Sequence, residues 1–486
     1  MIRWLRGGML WLLLLPALGG LATAVHILAT ADMDGWLKGR LVDGYQFGGP
    51  AMMLAYWKQH EEFAPGKFLV LSSGDNFSGT PISTLLEGEP DIEVMNAMGY
   101  QASALGVHEF DFGRGQLLRL ATQATFPLLA ANLLNPDGSP SEVAKPYVII
   151  ESQGVKVAVI GLMSSTVATH ARIGMLKVGP YPAAVRKYAV EARAKGAQVV
   201  IVAGSLSQTE LVALARTTPD LHIPLMLGGT TSDIVQQYVP DSDTWIMLNG
   251  RRWTAYGRVD LEVDAQDGSV YVTGIKQNRL QQRKADADPA IQAIIERWLA
   301  RLGPDYTKPL GYTASGLPHA GGACAFALQC WLAANQGADF SMVNLYGVRQ
   351  DLSAGPFTKS DIIEMLPFDD GIYSVKMTGK QLQSLHAVAD EPIAVCGLSL
   401  IDGKLAWARI NQPIDEKTTY HILVNDYLYN NWADLKAADP APQHICPDWR
   451  IPIWSWLAKH ETSDKHPLEK EMPLGRILTI TDTGIR

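Results

Sequence analysis

Basic residues are in deficit in this chain. Its 486 residues carry 41 Lys and Arg against 49 Asp and Glu, a formal net charge of −8. A broad nucleic-acid footprint needs clustered basic side chains to displace counterions, so this balance argues against a nucleic-acid polymer as partner. Cysteine is scarce too: Cys324, Cys330, Cys396 and Cys446 are all there are. No pair of cysteines with a two-residue spacer precedes a histidine, so covalent haem is not indicated. A P-loop, a dinucleotide-binding glycine fingerprint and a serine nucleophile elbow are all absent. Beyond the N-terminus no apolar run approaches the roughly 20 residues that a membrane-spanning helix needs. Repeats and low-complexity tracts are missing as well.

The N-terminus is read as a secretory signal. Arg3 and Arg6 precede an apolar run from Met9 to Leu18, and Ala22-Thr23-Ala24 supplies small residues for cleavage after Ala24. The run is short for a membrane anchor. Cleavage implies a periplasmic or secreted chain with no membrane span. Losing Arg3 and Arg6 leaves 39 of the 41 basic residues against 49 acidic ones, a net charge of about −10. In an oxidising compartment an even cysteine count points to disulfides, with three pairings open. The alternative is that Cys324 and Cys330, in an Ala-rich helical stretch, are buried thiols.

Short β-branched segments alternate with helical patterns through the first half, which predicts a layered α/β architecture. Strands are expected at Val25–Thr30, Phe68–Leu71, Val155–Ile160, Val199–Val202 and Ile223–Leu227. Helices are expected at Met52–Glu62, Ile82–Met98, Gln116–Thr122 and Ala183–Ala194. Trp245–Leu248, Tyr256–Val263 and Ser269–Ile275 follow without intervening helices and read as a β meander. Composition then turns polar before an amphipathic helix at Ile291–Leu302. The expected organisation is therefore a signal over 1–24, a first domain over 25–275, a connector over 276–306 and a second domain over 307–486. The second domain opens with a Gly- and Ala-rich helix near Gly321–Ala334. Strands are expected there at Phe340–Asn344, Tyr373–Met377 and Tyr420–Val424.

Carboxylates gather at the ends of the first strands. Strand one ends in Thr30-Ala31-Asp32-Met33-Asp34-Gly35. Residues i and i+2 of a strand share a side, so Asp32 and Asp34 are expected to face one site. Strand two ends in Ser73-Gly74-Asp75-Asn76, a third carboxylate. Gly106-Val107-His108-Glu109-Phe110-Asp111 then sets an imidazole three residues from a carboxylate, within reach of an orienting hydrogen bond. Taken singly, Asp-Gly and Gly-Asp-Asn are turn signals. Together they sit where open α/β sheets bind ligands, at the carboxyl ends of strands.

In series these segments resemble the motif ladder of the 5′-nucleotidase family of metallophosphoesterases, which includes the UDP-sugar hydrolases. Asp32–Gly35, Gly74–Thr80, Met95–Tyr100 and Gly106–Asp111 carry the likeness, with Phe126-Pro127 and Ala131-Asn132 after them. In the second half Asn344–Arg349, Leu366-Pro367-Phe368 and Met377-Thr378-Gly379 continue it. The resemblance implies an N-terminal metallophosphoesterase αββα sandwich and a C-terminal 5′-nucleotidase-type α/β domain. It also implies two metals bridged by Asp75, with Asp32 and Asp34 on the first. His108 and Asp111 match the catalytic pair, Arg349 the arginine that grips substrate, and Tyr427 an aromatic base-stacking position. Asn431-Trp432-Ala433-Asp434 departs from the pattern beside Tyr427.

The second metal position departs much further. Val107, Ser205, Thr230 and Ser232 stand where the resemblance implies nitrogen or amide ligands. Valine cannot coordinate, and neutral hydroxyls replace imidazole poorly. A full dimetal centre is therefore not expected. Asp32, Asp34 and Asp75 leave an all-oxygen set suited to one hard cation, Mn, Mg or Ca. His170, His222 or Asp233 are further candidates for recruitment.

The expected function is thus that of an exported family member with a degenerate metal site, weakly catalytic or non-catalytic, serving ligand binding or assembly. Its ligand would be a small phosphorylated molecule, with a protein partner left open. The alternative is an active metal-dependent phosphoesterase, hydrolysing nucleotides or related esters with one metal or rearranged ligands, in which His108 and Asp111 act. In the first case that pair only ties a loop down. A thiosulfohydrolase resembles the same dimetal pattern, and the missing ligands argue against it equally.

Overall fold

The computed structural model describes residues 22–42, 45–165, 173–229, 234–280, 287–385, 391–474, 477–481 and 484–485. Its first sheet uses strands β1 (Thr23–Thr30), β2 (Leu69–Ser72), β3 (Ala102–Ala104) and β4 (Leu128–Leu129), with helices α1 (Pro50–His60), α2 (Glu89–Met98) and α3 (Gly113–Gln123) on its outer face. The second sheet uses β5 (Tyr147–Ser152), β6 (Val155–Met163), β7 (Val199–Ser205), β8 (Leu225–Gly228), β9 (Ile234–Val239) and β10 (Thr244–Asn249). Helices α4 (Tyr181–Ala194) and α5 (Gln208–Thr217) cover it. Strands β11 (Ala255–Val263) and β12 (Val270–Arg279) return to the first sheet, whose order is β12-β11-β1-β2-β3-β4. The order of the second is β9-β10-β8-β7-β6-β5.

The apolar pattern dictates this layering. Val25, Ile27 and Ala29 pack between the sheets against Val157, Val159 and Ile201. Leu28 and Val70 point the other way, into a core shared with Trp57, Ile92 and Leu117. Ala158, Ile160 and Val202 meet Val185, Leu211 and Leu214 outside the second sheet. Strands buried on both faces read as continuous apolar runs rather than alternating ones. The result is the αββα sandwich expected.

Several local expectations change. The helix expected over Ile82–Met98 is broken: a short turn at Pro81–Thr84 precedes α2, and Gly88 between them is left-handed (φ 79°). The expected meander does not form, because β10 pairs with β8 and β9 while β11 pairs with β1. Helix α5 has no counterpart in the sequence reading, although Ser207 and Glu210 form a reciprocal capping box that marks its start. Helix α6 (Pro289–Leu302) buries Ile291, Ile295 and Trp298 in the same core as α1 and α2.

The second half contains α7 (Cys324–Ala334), β13 (Phe340–Asn344), β14 (Ile372–Thr378), β15 (Ile393–Cys396), β16 (Thr419–Asn425), β17 (Gln443–Cys446), α8 (Ile451–Lys459) and β18 (Leu478–Thr481). Their sheet runs β17-β14-β16-β13-β15-β18, with Gly484–Ile485 at its end. The regular part of the Gly- and Ala-rich helix begins at Cys324, after a wider turn at His319–Ala323. All four cysteines are free thiols, with Cys324 and Cys330 buried. Cys396 and Cys446 lie four strand spacings apart in the sheet, about 19 Å, beyond disulfide reach. Among the described residues no helix is long and apolar enough to cross a membrane. The expected signal segment lies outside them up to residue 21, and β1 begins at Thr23.

Candidate active-site cleft

The loops leaving β1 and β2 run side by side. Ser73 N–H donates to Thr30 O (2.9 Å), Asp32 N–H to Gly74 O (3.0 Å), Asp34 N–H to Asp75 O (3.1 Å) and Gly35 N–H to Asn76 O (2.8 Å). Asp32, Asp34 and Asp75 all take left-handed φ values, 51°, 50° and 55°. That region costs most side chains about 1 kcal/mol or more and is eased for Asp, which bonds locally. The left-handed turns also end the strand alternation, so Asp32 and Asp34 do not share a face as extended residues would. Asp34 lines a cleft, whereas Asp32 packs against Gly229, where a Cβ would come within 2.8 Å of its Oδ2.

Glu109 organises the loop beneath. Its carboxylate accepts N–H groups from Asp75 (3.1 Å), Asn76 (2.7 Å) and Gly106 (2.7 Å). Burial and the nearby Asp75 push the Glu109 carboxyl up to about 7 against those bonds. Asp75 is itself engaged: Oδ1 accepts the His108 N–H (3.0 Å) and Oδ2 the Ser205 hydroxyl (2.5 Å), one bond to each oxygen. Only glycine fits at 106, since a Cβ there would meet Asp75 Oδ1 at 2.2 Å.

His108 and Asp111 do come together, Nδ1 to Oδ2 at 2.9 Å. Burial disfavours the imidazolium, but Asp111, Asp75 and Asp34 outweigh it and push His108 up to about 10. The ring is therefore protonated at neutral pH, and Nδ1–H donates to Asp111. Its face stacks on Phe368 of the second half, centroids 6.1 Å apart and planes at 19°. Arg349 approaches from the same side, its guanidinium 5.7 Å from the Phe368 ring and 3.9 Å from Asp34. The cleft between the halves is thus lined by Asp34, His108, Arg252, Arg349 and Phe368, and it is narrow, with inner room of about 10 Å³. That inner space holds about one water, and the cleft opens to solvent above it.

Arg252 is the residue that the sequence did not announce. It lies in the turn between β10 and β11, in a Gly-Arg-Arg-Trp run with no motif attached. Its Nε is 3.5 Å from Asp34 Oδ2, and burial holds its pKa down, to about 10, so it remains charged.

Among the described residues the donor set does not fit the implied metals. Among the described residues no three His, Cys, Asp or Glu side chains converge on a point that could hold an ion. The trio expected for one Mn, Mg or Ca is divided: Asp34 faces arginine, Asp75 turns to Ser205 and His108, and Asp32 packs against Gly229. Val107 packs against the apolar core instead. Thr230, Ser232, His170 and Asp233 lie outside the described residues. His222 is exposed ahead of β8, at the end of the strand away from the cleft.

Tyr427 is not among the residues lining the cleft. Its hydroxyl is 3.4 Å from Glu391, whose other oxygen accepts from Asn344 (2.6 Å). Trp432 and Tyr429 are packing aromatics within the apolar core below it.

Known proteins resemble the chain along most of its length. The family pattern for the 5′-nucleotidase C-terminal domain matches residues 322–390. Protein UshA of Yersinia enterocolitica is 27% identical, covering 79% of this chain and 81% of its own. A 5′-nucleotidase of Vibrio cholerae is 26% identical, with coverages of 78% and 80%. Among solved structures, the 5′-nucleotidase precursor of Thermus thermophilus superposes with a TM-score of 0.77 at 19% identity, covering 91% of this chain and 97% of its own. At that identity the superposition speaks to fold.

Proposed function

We propose that this chain, which belongs to the 5′-nucleotidase family, is an exported member that binds a small phosphorylated molecule at the open mouth of its interdomain cleft and hydrolyses it weakly or not at all. The observation that carries this reading is the engagement of the expected ligands. Asp34 faces Arg252, and each oxygen of Asp75 already accepts one hydrogen bond, from His108 and from Ser205. Val107 and Ser205 at implied ligand positions support it further. In this reading Arg349 and the His108 imidazolium meet the phosphoryl oxygens, a role that suits planar guanidinium donors. The proposed organisation keeps a signal over 1–24, domains over 25–275 and 307–486, and the connector between them.

A second reading rests on the His108–Asp111 pair, whose 2.9 Å contact is the geometry of an oriented acid. It would be an active phosphoesterase using one divalent cation. One sample decides between the two: metal content alongside hydrolysis of nucleoside monophosphates and UDP-sugars with Mn or Mg. We expect no stoichiometric metal and turnover far below about 1 s⁻¹, the low end of ordinary enzymes. Turnover at ordinary rates with bound metal overturns the first reading in favour of the second.

A further inference from the structure

The misfit between the donor set and the implied metals has its own structural content. A carboxylate as enclosed as Asp34, with 11% of its side chain exposed, needs a countercharge. The countercharge present is organic. Arg252 reaches Asp34 from the same half of the molecule, and its backbone N–H donates to Asp32 O (2.8 Å), so one residue is pinned to the loop that carries both aspartates. The guanidinium lies over the Trp36 ring at 4.7 Å, which fixes its plane. Arg252 and Trp253 are consecutive left-handed residues, both at φ 57°, a local strain that aims this side chain into the cleft.

The guanidinium is also only partly used. Nε faces Asp34, and Nη2 donates to Arg349 O (3.4 Å); its other N–H groups have no partner among the described residues. Arg349 stands opposite, with Asp34 at 3.9 Å. Two guanidiniums thus meet one carboxylate, and Arg252 keeps planar donors to spare at the cleft. That is the chemistry of an anion site for a phosphoryl group.

We propose that Arg252 is a built-in replacement for the site cation, so that this cleft takes a phosphate-type anion without any divalent metal. The inference rests on the ligand-binding reading above. Its test is calorimetric titration of the full chain with inorganic phosphate, in EDTA and again with Mn, together with titration by Mn alone. The wild-type protein is expected to bind phosphate equally in both buffers and to give no heat with Mn. Arg252→Met is expected to weaken phosphate by about tenfold or more, the loss that one charge-assisted contact implies, and Arg252→Lys by less. Phosphate binding by the wild-type protein that requires Mn overturns the inference while sparing the ligand-binding reading. So does stoichiometric Mn binding alone, or an Arg252→Met variant with unchanged phosphate affinity. No phosphate binding in either buffer overturns both. The wild-type titrations need no variant, so a misfolded Arg252→Met protein leaves the test intact.

Discussion

At the scale of single residues, this protein stores unusual electrostatics under its cleft loops. Asp91, in the first turn of α2, is 2% exposed; its Oδ2 accepts the Ser83 hydroxyl at 2.6 Å, while Oδ1 has no hydrogen-bond partner among the described residues. Burial raises its pKa from 3.8 to about 8, with the Ser83 bond opposing. The folded state therefore holds a proton that the unfolded chain releases. That contribution to stability is complete below about pH 3.8 and is lost as pH rises towards about 8. Asp91→Asn is neutral throughout. We expect its melting temperature to gain on the wild type steadily between pH 5 and pH 8 (roughly the window between the two pKa values). Parallel curves for the two proteins would refute the assignment.

At the scale of elements, α6 is the informative case. Its sequence, polar before and amphipathic within, reads as a connector. Its side chains also complete the outer core of the first half. Trp298 is 8% exposed, and its indole N–H donates to Glu93 of α2 at 2.8 Å. Arg297 pairs with the same carboxylate. Asp288 caps the helix by accepting the N–H groups of Ala290 and Ile291. Trp298→Ala should cost about 3–5 kcal/mol in urea unfolding, the usual penalty for deleting a buried aromatic. A loss below about 1 kcal/mol would mean that α6 is a detachable linker.

At the scale of the whole molecule, the two halves meet at the cleft through a small set of side chains. Phe368 stacks on His108 and lies under Arg349, and Arg252 bridges to the Arg349 backbone. Phe368→Ala should raise hydrogen exchange across Val107–Asp111 without changing exchange in β6 or β7. Phe368→Tyr, which keeps the ring, should restore protection. Unchanged exchange in the alanine variant would show that the interdomain packing does not hold that loop.

Much of this was written in the chain itself. Apolar runs such as Val199–Val202 had to be strands buried on both faces, and the Asp, Gly and His segments at strand ends located the site, because strand ends and turns have local signatures. His108 and Asp111 are three residues apart, so their pairing was legible as well. Other features depended on residues distant in sequence. Asp34 and Arg252 are 218 positions apart, and Ser205 and Asp75 are 130. No periodicity or turn chemistry records such meetings. From the sequence, the resemblance implied which ligand positions differ; only the tertiary structure could put a guanidinium against Asp34, because a buried carboxylate takes whatever countercharge the fold brings to it.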